Sequence, residues 1–227
     1  MKKYVACIAL ALMASAAHAQ LRVTAGLGLN IYDGVDGRWQ QQGVPGGSDV
    51  TTHTPAITLG IAGPIVSRGR WGIDWHADYL NLGRAAASCM CTPMDQNYDP
   101  HTHHYSAKFD VPMAYFSGSG RSQGVGITAE SYYWIGGARI GVEAGAYVHH
   151  DAWSEYVAGW QVPRSIPAQT FNLSDSYWSV APMVGLSVGN DRWAVSYRHL
   201  FMSLNSRTRN TPPLWNDADL LSVTYKW

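Results

Sequence analysis

Polar and apolar residues alternate along much of the chain. "LRVTAGLGLNIY" places Leu21, Val23, Ala25, Leu27, Leu29 and Ile31 on one parity and Arg22, Thr24, Gly26, Gly28, Asn30 and Tyr32 on the other. Successive side chains of an extended strand point to opposite faces, so this period of two predicts a strand with one apolar face. "WGIDWHADYL" repeats the pattern with sharper contrast. Trp71, Ile73, Trp75, Ala77 and Tyr79 oppose Gly72, Asp74, His76 and Asp78.

The same template fits six more segments: "THTPAITLGIA", "GVGITAESYYW", "RIGVEAGAYVH", "YWSVAPMVGLSVG", "RWAVSYRHLF" and "DLLSVTYKW". The connections after the second, fourth and sixth strands are short ("GPIVSRG", "IGG", "ND"). Those after the first, third, fifth and seventh are long, spanning 33–53, 83–121, 150–176 and 204–217. Even strand number, short turns at one end and long loops at the other follow the plan of a transmembrane β-barrel. The expected fold is therefore all-β, an eight-stranded antiparallel barrel with its termini in the periplasm and four long extracellular loops. The Trp/Ile/Tyr face would meet lipid and the Asp/His/Asp face would line the interior. Trp71, Tyr133, Trp178, Trp193, Tyr225 and Trp227 stand where aromatic girdles are expected.

The N-terminus fits an exported protein. "MKKYVACIALALMASAAHAQ" has two lysines, an apolar run and Ala-His-Ala before Gln20, the layout of a signal peptide over 1–19. One barrel domain, 20–227, would follow. Charged residues make up 14% of the chain, with 16 basic and 16 acidic residues, so there is no basic footprint for nucleic acid. After the leader no apolar run is long enough for a helical span.

The pattern resembles the small eight-stranded outer-membrane proteins of Gram-negative bacteria, the OmpA/OmpX-type barrels. Its most specific element is the C-terminal "LLSVTYKW", alternating and ending on an aromatic. That resemblance implies an outer-membrane location and recognition of the last strand by the barrel-assembly machinery. It also implies contact with outer-membrane lipids, lipopolysaccharide included. Family members usually end in Phe, where this chain has Trp227.

Parity assigns Arg22, Asp74, His76, Asp78, Glu130, Arg139, Glu143, His149 and Arg198 to the interior. An eight-stranded barrel is just wide enough for side chains to fill. This set is then either a packed network, with the four acids paired to Arg139 and Arg198, or the lining of a narrow ion or proton path or of a small-molecule site.

Two further groups carry chemistry. "SCMCTPMDQNYDPHTHH" offers Cys89, Cys91, Asp95, Asp99, His101, His103 and His104, ligand types for zinc or copper in an unfamiliar spacing. The two cysteines could instead pair with each other or with another molecule. On the outward parity, His199, Ser203 and Asp219 fall near the outer-leaflet interface. This group is similar to the lipid A deacylases, barrels with a catalytic His and Ser and a nearby acid on the lipid face. That family has His-x-Ser, whereas Ser203 is four residues past His199. In a regular strand that is roughly 13 Å, too far for proton transfer.

The functional expectation is a membrane anchor whose loops serve surface interaction, adhesion or envelope modulation with an unidentified extracellular ligand. A lipid hydrolase and a narrow channel are the alternatives, and no cofactor is expected. The loop sequences "GRWQQQGVPGGSDVTTH" and "HDAWSEYVAGWQVPRSIPAQTF" are rich in Trp, Tyr, Gln and Ser, types suited to recognition.

Overall fold

A computed structural model describes residues 21–33, 48–91, 98–99, 104–105, 113–161, 167–202 and 215–227. The leader segment 1–19 lies outside the described residues. Eight long strands form the wall: β1 (Arg22–Asp33), β3 (His53–Arg68), β4 (Trp71–Cys91), β7 (Ala114–Ile135), β8 (Ala138–Trp160), β9 (Gln169–Gly189), β10 (Trp193–Leu200) and β11 (Asp217–Lys226). Three short strands are added outside the ring. β2 (Ser48–Thr51) pairs with β4, and β5 (Tyr98–Asp99) pairs with β6 (His104–Tyr105).

Each wall strand pairs antiparallel with its sequence neighbour in the wall. The first and last strands, β1 and β11, also pair, and β4 with β7 completes the ring in the order β4-β3-β1-β11-β10-β9-β8-β7. Over the height where all eight strands pair, closure leaves no sheet edge, so the backbone groups there find partners without water.

The turn end is tight. Gly69 and Gly136 take positive φ (61° and 62°) in two-residue hairpins, a left-handed conformation that the twist of the flanking strands favours. "GPIVSRG" is largely strand, and only Gly69 and Arg70 turn. At the third hairpin Asn190 Oδ1 accepts from the backbone N–H of Arg192 and of Trp193, both at 2.8 Å.

The barrel is inside-out. Leu27 is 70% exposed, and Ile127, Val142 and Leu186 are more than half exposed, while Glu130, Arg139 and Glu143 are 3–4% exposed. From Val188 to Trp178, β9 carries outward Val188, Leu186, Val184, Pro182, Val180 and Trp178. That is about 33 Å along the strand, or about 25 Å along the barrel axis at a tilt near 40°, the height of an outer-membrane apolar band. Trp193 packs on Tyr225, and Tyr225 on Trp227, at the turn-end rim of this belt. Trp178 marks the opposite rim, beside His150.

Strand boundaries differ from the sequence expectation at the loop end. Much of 83–121 and 150–176 is strand, because β4 runs to Cys91, β7 begins at Ala114, β8 runs to Trp160 and β9 begins at Gln169. Above the belt the outer face meets water and turns polar, so the period-two contrast fades although the ladder of backbone hydrogen bonds continues.

Candidate functional site

The interior is layered. At the turn end sits a charged layer. Arg198 Nη2 donates to Asp78 Oδ2 at 2.8 Å, and its Nε donates to Glu143 Oε1 at 2.6 Å. Arg139 bonds Asp74 at 2.9 Å and also Glu130. His76 Nε2 meets Glu130 at 3.0 Å, Arg22 lies 3.9 Å from Asp74, and Ser187 donates to Glu130. Tyr132 stacks on the Arg139 guanidinium at 3.8 Å. Lys226, buried in the same layer, was absent from the expected set although it shares the inward parity of Ser222 and Thr224. Four carboxylates thus face Arg22, Arg139, Arg198 and Lys226. Buried charges are tolerated when paired and hydrogen-bonded, and most of this layer is, although Asp74 Oδ1 and Arg139 Nε are buried without a hydrogen-bond partner among the described residues. The free space inside it is about 30 Å³, room for about one water.

Above this layer the lumen is filled by Leu80, Leu82, Tyr147, Met183, Leu200 and Leu220, all fully buried. Tyr32 links the wall here. Its hydroxyl donates to the Gly83 carbonyl at 2.9 Å and accepts from the Ser122 N–H at 3.1 Å. His149 stacks on Tyr147 and bonds Asp151 at 2.9 Å, while Tyr177 donates to the same carboxylate at 2.6 Å. Trp153 and Trp215 pack edge to face higher still. These apolar inward residues occupy the lumen between the charged layer and the loop end.

On the outer wall, β10 and β11 place His199 directly opposite Asp219. His199 Nδ1 donates to Asp219 Oδ1 at 2.7 Å, both side chains being about a quarter exposed. Tyr197, two residues earlier on the same face, donates to the same oxygen at 2.6 Å. With Nδ1 engaged, the lone pair of the neutral ring lies on Nε2. Phe201 packs its edge against the ring at 4.3 Å. This is the His–acid half of a hydrolytic arrangement. Ser203, the expected nucleophile, lies outside the described residues. Tyr197 was not expected in the group, though its shared parity with His199 was visible.

For the loop group, Cys89 is engaged in a disulfide, which takes its sulfur out of a thiolate ligand set. Cys91, Asp99 and His104 have backbone in strands, and their side chains lie outside the described residues, as do Asp95, His101 and His103 altogether. Among the described residues no three of His, Cys, Asp and Glu converge to hold a metal ion.

No family model matches the chain, and no curated protein matches it. Among solved structures it is similar to Ail, the attachment invasion locus protein of Yersinia pestis, crystallised in complex with the heparin analogue sucrose octasulfate. Identity is 10%, the likeness covers 91% of this chain and 99% of that one, and the TM-score is 0.37. The fold stands on the strand pairing and the exposed apolar belt.

Proposed function

We propose that the protein is an outer-membrane anchor of a Gram-negative bacterium that carries a rigid interaction platform above the cell surface. The leader 1–19 would direct export, leaving 20–227 as the mature barrel. The observation that carries the reading is the height of the wall. β8 continues in register with β7 and β9 past His150, the last residue at the belt rim, as far as Ala158. From there to Ala158 is about 26 Å along the strand, or about 20 Å of barrel beyond the lipid at the same tilt. An anchor alone needs no such extension. A raised, packed wall holds the connecting segments clear of lipid headgroups, where a protein or glycan can reach them. The C-terminal strand, ending in Trp227, would engage the barrel-assembly machinery.

The test is an epitope tag inserted after Arg164, with labelling of intact cells. Labelling without permeabilisation supports the orientation, and labelling only after permeabilisation contradicts it. Cells carrying the tagged or the unmodified protein are then compared with cells lacking it on glycan and matrix-protein arrays. No difference in binding would remove the interaction reading.

A second reading is favoured by the 2.7 Å His199–Asp219 contact on the lipid-facing wall. It is ester hydrolysis of a lipid A acyl chain, with His199 as base and Asp219 as its orienting acid. Ser203 can be the nucleophile only because β10 ends at Leu200, so that the regular-strand spacing does not hold beyond it. Fatty-acid release by the refolded barrel, lost in His199→Ala and Asp219→Asn, would establish it. No release from the unmodified protein would end it.

A further inference from the structure

Arg84 and Arg121 stand directly opposite each other on β4 and β7. Both are exposed on the outer wall, one step above Tyr79 and Gln123, whose side chains are joined by a 3.2 Å hydrogen bond at the belt rim. Like charges opposite each other across a strand pair repel. Among the described residues neither guanidinium has an ion-pair partner. Arg84 Nη2 donates to the hydroxyl of Ser119 at 2.5 Å.

The placement of Arg84 depends on a backbone device. Below this point the even-numbered residues of β4, such as Asp74, His76 and Asp78, face inward. A bulge between Asn81 and Arg84 reverses the parity. Gly83 takes φ of 77°, and its N–H bonds the Asn81 side chain at 3.1 Å. Without the bulge, Arg84 would point into the lumen. With it, Arg84 joins Arg121 on the outer face of the wall. The two arginines border a depression of about 890 Å³ on the wall, which Ser119, Ser154 and Ser176 also line. Asp175 borders it too, and no ion pair joins it to either arginine.

We propose that Arg84 and Arg121 form a binding site for the phosphate of an outer-leaflet lipid headgroup. The proposal rests on the membrane reading and adds a position and a ligand chemistry to it. Guanidinium forks match phosphate oxygens bidentately, and an anion between the two removes their mutual repulsion. The serine hydroxyls supply further donors. The occupant is a lipid rather than a free anion because of where the depression lies. Its lower border, at Arg121, Ala152 and Ser176, stands two residues along each strand from Gln123, His150 and Trp178 at the rim of the apolar belt, so acyl chains of a molecule bound there run down the wall beneath its headgroup.

The test uses the protein refolded into phosphatidylcholine nanodiscs and its Arg84→Gln/Arg121→Gln variant. Retention of bisphosphorylated lipid A and of its dephosphorylated form is measured by native mass spectrometry. The expected result is that the unmodified protein retains the phosphorylated lipid at least about tenfold better than the dephosphorylated one. The variant should lose that preference and keep the unmodified protein's heat-modifiable gel mobility. Excess inorganic phosphate should leave the lipid in place. Equal retention of both lipids by the unmodified protein, an unchanged preference in the variant, or displacement by inorganic phosphate would each overturn the site. Failure to enter nanodiscs in a heat-modifiable form is a different outcome, because it would overturn the membrane reading beneath it.

Discussion

Arg198 reaches across the lumen from β10 to Asp78 on β4, 120 residues away in sequence, with Nη2 2.8 Å from Oδ2. The same guanidinium holds Glu143 on β8. One side chain therefore ties together three strands at widely separated positions around the ring.

Replacing Arg198 with Met leaves Asp78 and Glu143 buried beside each other without that cation. Removing one partner of a buried pair costs about 3–5 kcal/mol. The variant should unfold at markedly lower denaturant than the unmodified barrel in the same lipid, read from the gel shift between folded and unfolded forms. An unchanged midpoint would mean that the charged layer contributes no net stability through Arg198.

Gly83→Ala should destabilise the barrel by about 1–3 kcal/mol, since an L side chain at φ of 77° is strained. A Cβ there would also lie 2.7 Å from the Thr54 Cβ. Gly137 has open space around it, and Gly137→Ala should change stability far less. Equal effects of the two substitutions, by the same denaturation assay, would contradict the bulge geometry.

Lipid exposure predicts a depth dependence. Ile127→Arg, in the middle of the belt, should cost about 2–4 kcal/mol in bilayers, whereas Ser176→Arg, above the rim, should cost about 0–1 kcal/mol. Reversible unfolding in lipid vesicles checks the pair. If both cost the same, the belt has been placed wrongly.

The filled lumen predicts electrical silence. In planar bilayers the unmodified protein should give no single-channel steps, because Leu80, Tyr147, Met183 and Leu220 occupy the interior above the charged layer. Regular conductance steps would show that the apolar layer opens.

Much of this architecture was legible in period-two alternation. The contrast between Trp71–Tyr79 and Asp74–Asp78 sets which face is which, and the sorting of short and long connections sets the ring. The inward acids and arginines followed from parity, and so did the closeness of His199 and Asp219. Three features were not legible. The bulge at Asn81–Arg84 shifts parity within one strand, so Arg84 could not be assigned a face by counting. Strand extension beyond the rim was hidden because water on both the outside and the loops removes the apolar signal. The apolar layer was hidden for a third reason. Leu80, Leu82 and Met183 occupy lumen positions, where the pattern lower in the barrel leads one to expect polar residues.

The most direct test of the inside-out barrel is the depth of the outer wall in a bilayer. Nitroxide labels on Ile127→Cys and Ala152→Cys, in otherwise unmodified protein reconstituted in vesicles, are compared by power saturation with oxygen and with a water-soluble nickel chelate. Position 127 should be reached by oxygen and shielded from nickel, and position 152 should show the opposite preference. A position 127 as open to nickel as position 152 would contradict the membrane-spanning belt.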